Sequence, residues 1–489
     1  MTPLFADPAA FASRRDFLRR TGGGCGMLAL AGLLQRQGVL SPAPAGAAEL
    51  PANPLAAHAG HFPAKAKNII WLFMNGGQSH VDTWDYKPEL EKRDGQELAG
   101  FDKFTGFFAD SVGPLMKSPF KFAQHGQSGT WVSEIFPNLA RHVDKMAFLH
   151  SCWTDSNNHS PALFKINTGN TRMGNPCLGA WVTYGLGSES QNLPSFVVMY
   201  DTLGRGIPKG HSQNWGAGFL PGIFQGTALK PQGAPIDDLQ RPPDLTDAQQ
   251  RQQLDLLARL NRRQLEQTAI EPELAARIES FELAYRMQMA APEAIDVEQE
   301  TAATQSLYGL DNPKATHFAR QCLIARRMVE RGVRCVQIYS GGMDNQLSWD
   351  GHNDIRGNHA GFAAETDQPI AALLEDLAQR GLLDSTLVIC GGEFGRLPVA
   401  QKSATPGRDH NPHAMTYWLA GGGSKPGTHH GETDEVGFKA VVDRVSVHDL
   451  HATILHLLGL DHTRLTFRYN GRDFRLTDVE GTVVQGVLG

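Results

Sequence analysis

Cysteine is scarce in this chain, six in 489 residues, and no two of the six stand at the spacing of a zinc-binding or redox pair. That excludes a cysteine-built metal site and a dithiol active site. Cys335 and Cys390 sit inside apolar runs and read as buried thiols. One disulfide, such as Cys152 to Cys177, stays open for a protein in an oxidising compartment. No Gly-x-Ser-x-Gly elbow is present, which argues against a serine esterase. Beyond the N-terminal stretch there is no long apolar run, so no membrane-spanning segment is expected in the mature chain. An excess of positive charge is missing too. With residues 1–48 set aside, 40 basic residues face 49 acidic ones, a formal charge of −9. Such a surface has no general attraction for nucleic acid or an anionic membrane.

What is present begins with a sorting signal. Ser13-Arg14-Arg15-Asp16-Phe17-Leu18-Arg19 precedes an uncharged Gly/Ala/Leu stretch from Thr21 to Leu34 and the small-residue run "APAGAA" ending at Ala48. This order reads as a twin-arginine signal peptide over residues 1–48, with a single α/β domain over 49–489. The expected compartment is the periplasm or the exterior. The twin-arginine machinery carries proteins already folded, which suits a cofactor or metal loaded in the cytoplasm.

In the mature part, 41% hydrophobic and 20% charged residues over the whole chain give the profile of a globular protein with a large core. Short apolar runs rich in β-branched and aromatic residues recur: "NIIWLFM", "MAFLHSC", "SFVVMYD", "VRCVQIYS", "STLVICGG" and "MTYWLAGGG". Amphipathic segments such as "HFARQCLIARRMVERG" lie between them. Alternation of this kind predicts an α/β sandwich around a mostly parallel sheet. Residues 236–300 are long, charged and helical in pattern, and read as an insertion packed on that sheet.

Ligands of open α/β sheets bind at the carboxyl edge of the strands, so the polar residues after each run are the first candidates. The first run is followed by Asn75, His80 and Asp82, the second by Asn157, Asn158 and His159. After "VQIYS" come Asp350 and His352, with Asp344 as a rival to Asp350. Glu393 and Arg396 follow "STLVIC", and Asp409, His410 and His413 precede "MTYWLAGGG". Imidazole and carboxylate at successive strand ends are the donors a divalent metal requires, be it zinc, manganese or calcium. The expected ligands are His80, Asp82, Asp350, His352, Glu393, Asp409 and His410. Asn75, Asn158 and His413 are expected to meet the substrate, and Arg396 to hold a phosphate or sulfate bidentately or to pair with Glu393.

The order of these motifs resembles the alkaline phosphatase and sulfatase superfamily. "FPNLARHVDKMAFLHSCW" leads to His159-Ser160-Pro161-Ala162-Leu163, then four residues, then Thr168-Gly169, where sulfatases have Cys/Ser-x-Pro-Ser-Arg and Thr-Gly. More narrowly, the signal with "MNGGQSHVDTWDYKPEL", "SWDGHND", "GGEFGR" and "GRDHNPH" resembles the bacterial family called domain of unknown function 1501 (DUF1501). The resemblance implies a sulfatase-like three-layer fold. It also exposes departures. His159 occupies the nucleophile position, Leu163 that of the helper arginine, and Glu393-Phe394 that of a metal-binding Asp-His pair, so formylglycine chemistry is excluded by residue type. His159 then has three roles open: a catalytic metal ligand that leaves attack to activated water, a covalent nucleophile, or a cap on the helix near Pro161. The expected function is a metal-dependent hydrolase of phosphate or sulfate esters, small molecules or saccharides. The alternative is a catalytically degenerate relative that binds sulfated glycans or a protein partner.

Overall fold

The computed structural model describes residues 53–267, 272–343 and 345–489. The signal expected over residues 1–48 and the rival ligand Asp344 lie outside the described residues. Among those described, nine strands build the main sheet: β1 Asn68–Met74, β2 Met146–Trp153, β3 Phe196–Met199, β4 Thr227–Ala228, β5 Cys335–Ser340, β6 Thr386–Gly391, β7 Met415–Ala420, β8 Thr428–His430 and β9 Val445–Ser446. Their order is β8-β2-β7-β6-β1-β5-β3-β4, with β9 beside β2. Every pairing is parallel except the two that β7 makes. The mostly parallel sheet expected from the sequence is therefore the sheet the chain forms.

Helices cover both faces, which is why the central strands read as unbroken apolar runs. Along β1 the side chains alternate: Ile70, Leu72 and Met74 enter one core, while Ile69, Trp71 and Phe73 enter the other. The first core is closed by α5 Thr316–Glu330 and α6 Ile355–Gln379 through Leu323, Ile324, Leu373 and Leu374. The second is closed by α1 His159–Thr168, α2 Leu178–Leu186 and α7 Val447–Leu457 through Ile166, Trp181 and Ile454. Each such side chain contributes about 1.5–3 kcal/mol by leaving water. Cys152, Cys177, Cys322, Cys335 and Cys390 are buried and free, so Cys152 and Cys177 form no disulfide; burial pushes the Cys177 thiol up to about 12. No helix among the described residues is long and apolar enough to cross a membrane.

The stretch expected as one helical insertion divides. Residues 53–243 and 279–489 form one compact unit, and 244–278 fall in another. The described helices of the latter are α3 Asp247–Gln267 and the start of α4 Pro272–Ile295. The end of α4 belongs to the larger unit, where Met287, Ala291, Ala294 and Ile295 join the first core.

Candidate metal centre

Three segments at the carboxyl edge of the sheet deliver the side chains. His159 opens α1, whose N-cap Asn158 accepts the Ser160 N–H at 3.3 Å. Asp350 and His352 lie in the connection between β5 and α6, which ends at Asp354; that residue has φ 44° and caps the Gly357 N–H. His410 sits just before β7, in a short antiparallel pair with Arg396 from the turn after β6. One ligand atom from each of His159, Asp350, His352 and His410 lies within 4.8 Å of the others, and all four residues are buried.

The outer nitrogens of the three rings decide what the inner ones offer. His159 Nδ1 donates to Glu393 Oε1 at 2.7 Å, His352 Nδ1 to Gln401 Oε1 at 2.6 Å, and His410 Nδ1 to the Asn157 carbonyl at 2.6 Å. Those acceptors fix the proton of each neutral ring on Nδ1 and leave a lone pair on Nε2. The Nε2 atoms converge on Asp350. His159 Nε2 is 3.0 Å from Oδ2, while His352 Nε2 and His410 Nε2 are 2.8 and 3.2 Å from Oδ1 and 2.9 Å from each other. His159 Nε2 and Asp350 Oδ2 are close but not aligned as a hydrogen bond, and both are buried without a partner. Lone pairs crowded in this way repel unless positive charge lies among them. These four residues could hold a metal ion, and a set of three imidazoles and a carboxylate is a chemically suitable one.

Within the group, positive charge is favoured at His159 and disfavoured at His410. Burial opposes a charge on His159, but Asp350 and Glu393 outweigh it and raise its pKa. Burial would likewise raise the Asp350 carboxyl, yet Arg396 and His159 hold it well below the usual range. His410 is kept neutral by burial and then by the charge of His159 and Arg396.

The remaining expected residues are distributed differently. Glu393, expected as a ligand, takes the Gly76 N–H at 2.9 and 3.1 Å and the His159 ring proton, so it orients a ligand and does not join the group. Gly76 itself turns at φ 100°, and a Cβ there would stand 2.6 Å from the Asp350 nitrogen. Arg396 is not free for a substrate anion. It donates to the carbonyls of Gly76, Gly77 and Arg408 and to Asp350 Oδ1 at 2.6 Å. Asp409 accepts from the backbone of Phe108 and His410, at 2.6 and 2.7 Å, and anchors loops.

His80 and Asp82 are not in the group either. Their short helix, His80–Thr83, directs them elsewhere: His80 Nε2 bonds the Gly437 carbonyl at 2.7 Å, and Asp82 pairs with buried Arg408 at 2.7 Å. Asn75 donates to the Gly342 carbonyl and Asn158 is a helix cap, while His413 packs half-buried against the Phe438 ring. Sequence reasoning missed Gln401, which carries no local signal. Asn157 was visible only as one of several polar residues after β2. Phe394 fills its place with a ring packed 4.9 and 4.4 Å from His159 and His410.

Fold and site together define an α/β protein with a closed, histidine-rich centre at the carboxyl edge of its sheet. The chain belongs to the family described as "Protein of unknown function (DUF1501)", whose model matches residues 66–488. No curated protein matches it. Solved structures similar to it include the lipoteichoic acid synthase LtaP from Listeria monocytogenes, at 10% identity over 89% of this chain and 80% of that one, with a TM-score of 0.34. A TAB5 alkaline phosphatase mutant is similar at 9% identity, over 81% and 99%, with a TM-score of 0.32. The PsFucS1 sulfatase from Pseudoalteromonas sp. is similar at 11% identity, over 81% and 68%, with a TM-score of 0.33. These likenesses are remote.

Proposed function

We propose that this protein is a metal-dependent hydrolase of phosphate or sulfate esters, saccharide esters among them, that uses no side-chain nucleophile. One observation carries the proposal: the Nε2 atoms of three imidazoles and the Asp350 carboxylate converge in a buried cluster, each ring held through Nδ1 from outside. His159, Asp350, His352 and His410 would hold the ion. Three nitrogen donors favour zinc over manganese, which suits carboxylate and water, and over calcium, which takes six to eight oxygens. When bound, such an ion supplies Lewis acidity and lowers the pKa of water from about 16 to roughly 7.

The chain's own residues do the remainder. Glu393, Gln401 and the Asn157 carbonyl hold the three imidazoles in register. Arg396 balances the charge of Asp350, which keeps that carboxylate ionised while buried. Phe394 and Phe108 pack against the rings and exclude water, which strengthens every charge interaction inside. On the same reading the protein works outside the cytoplasm. The motif from Ser13 to Arg19 suits export through the twin-arginine route after folding and metal loading.

The test is elemental mass spectrometry of the exported protein, followed by phosphate or sulfate release from a broad ester panel with the metal-replete form. Bound metal with turnover of at least one ester class supports the proposal. Bound metal with no turnover removes the hydrolase, and no bound metal at all leaves the glycan- or partner-binding alternative.

A further inference from the structure

The four candidate ligands have no open face: His159, Asp350, His352 and His410 are each exposed by 6% or less. An ion, or an ester that meets it, must pass one of the side chains that cover them. Phe394 packs on His159 and His410 but is itself buried, so it forms an inner wall. Phe108 and Phe107 differ. They lie on His352 and His410, with ring centroids 4.9 and 5.8 Å apart, and are 38% and 50% exposed. At these two rings the cover between the group and water is a single side chain thick.

Both rings belong to residues 102–110, which contain no strand and only the beginning of one short helical turn, Ala109–Ser111. The flanks of this segment are fixed. Phe101 packs on Phe438 at 5.3 Å, and Val112–Leu115 pairs with Val399–Gln401. Between the flanks, among the described residues, three hydrogen bonds tie the segment to the rest of the protein. Asn157 Nδ2 donates to the carbonyls of Thr105 and Gly106 at 3.1 and 2.9 Å, and the Phe108 N–H donates to Asp409 Oδ2 at 2.6 Å. Few buried apolar contacts and few bonds put a segment at the low-stability end of a fold. The same two residues also hold His410. The Asn157 carbonyl accepts its Nδ1 proton, and Asp409 Oδ1 accepts its backbone N–H.

We infer that residues 102–110 are a gate that opens as a unit to give access to the metal group, latched beside His410 through Asn157 and Asp409. The inference rests on the metal-centre reading above and not on the class of ester. Opening breaks three hydrogen bonds and lifts two rings whose other sides already stand in water. Closing returns Phe107 and Phe108 to the imidazoles and excludes water from the group. Entry and exit pass through the same open state, so an easier opening speeds both alike and leaves the affinity of the group as it is.

Asn157→Ala tests this, because it removes two of the three bonds and keeps both rings and the carbonyl that serves His410. The first readouts are stopped-flow rates of zinc uptake and of zinc release to a chelating dye. The second is acylation of His352 and His410 by diethyl pyrocarbonate in the metal-free protein, read by peptide mass spectrometry against exposed His58. Melting temperature reports that the variant folds. The expected result is a rise of about tenfold in uptake, release and acylation alike, with the Kd for zinc unchanged. Rates equal to wild type, or release that rises while uptake does not, overturn the gate. If Asn157→Ala does not fold, Phe107→Ala combined with Phe108→Ala puts the same question: acylation and both zinc rates must rise, and equal rates overturn the gate. Zinc exchange that follows this pattern without turnover of any ester removes the hydrolase and leaves the gate. Should the wild type bind no zinc, the metal reading falls and acylation decides alone. The same rise in Asn157→Ala then sustains a gated histidine cluster, and equal acylation overturns it.

Discussion

His352 Nε2 and His410 Nε2 lie 2.9 Å apart, and the other nitrogen of each ring already donates to an acceptor, Gln401 Oε1 or the Asn157 carbonyl. Two neutral rings so arranged present lone pair to lone pair, and the nearest carboxylate oxygen, on Asp350, offers no proton to relieve them. A cation shared among them turns this repulsion into binding. An ion held at a thousand times its Kd stabilises the folded state by about 4.1 kcal/mol. Denaturant melts of the wild type are therefore expected to shift down on chelation, whereas His352→Ala and His410→Ala should bind no metal and melt alike with and without chelator. A wild type indifferent to chelation, once shown to be metal-loaded, would refute the ligand set.

Glu393 would act on an ion held by the group through His159. Its carboxylate is fixed by the Gly76 N–H and receives the ring proton, so it determines which nitrogen of His159 faces Asp350. Loss of such an orienting partner costs typically 10–100-fold in metal affinity. Glu393→Gln is expected to weaken zinc binding by that factor in competition with a chelating dye, and to leave the visible spectrum of the cobalt-substituted protein unchanged in shape. A changed cobalt spectrum would make Glu393 a direct ligand after all.

Much of this was legible before the structure. Strands buried on both faces announce themselves as apolar runs, and the edge where they end tells where to look; His159, Asp350, His352 and His410 were all found that way. Which of the polar residues face one another was not legible. His80 and Asp82 have the composition of ligands, but a short helix turns them toward Gly437 and toward Arg408, whose position 326 residues along the chain no local pattern encodes. Arg396 looked like an anion clamp because its type suits one. Only the fold reveals that its donors are already engaged by three carbonyls and Asp350.

The Asp82–Arg408 pair gives a test that separates structure from chemistry. Both side chains are fully buried, and the guanidinium bonds the carboxylate at 2.7 and 3.2 Å. The paired charge holds the Asp82 carboxyl low although burial alone would raise it. Removing one partner of a buried pair strands the other and costs about 3–5 kcal/mol. Arg408→Met should lose that much stability in denaturant melts at neutral pH, with the metal content of the folded fraction equal to wild type. Loss of metal in proportion to a fully folded population would return Asp82 to the coordination sphere.

Acid should unfold the protein earlier than its carboxylates require, because buried His359 and His451 and half-buried His150 resist protonation. Burial lowers His150 to about 4 against the pull of Asp85, with His429, Lys87 and His80 adding to the lowering. Burial likewise takes His359 and His451 to about 3; Asp82 opposes and Arg396 and Arg408 assist at the first, while His448 and Lys165 assist at the second. In the unfolded chain each binds its proton near pH 6.5. The folded-state values are depressed, so the unfolded state binds more protons below 6.5. The contribution of each group is complete above that pH and is lost as pH falls toward 4 or 3. Each costs about 1.4 kcal/mol per pH unit across the window. His451 offers the cleanest check, since its Nε2 donates to the Ile166 carbonyl at 2.7 Å and glutamine in its place can still donate there. His451→Gln should flatten the slope of unfolding free energy against pH between 6 and 4.5 by about 1.4 kcal/mol per unit. An unchanged slope would mean that His451 takes up its proton in the folded protein as readily as in the unfolded one.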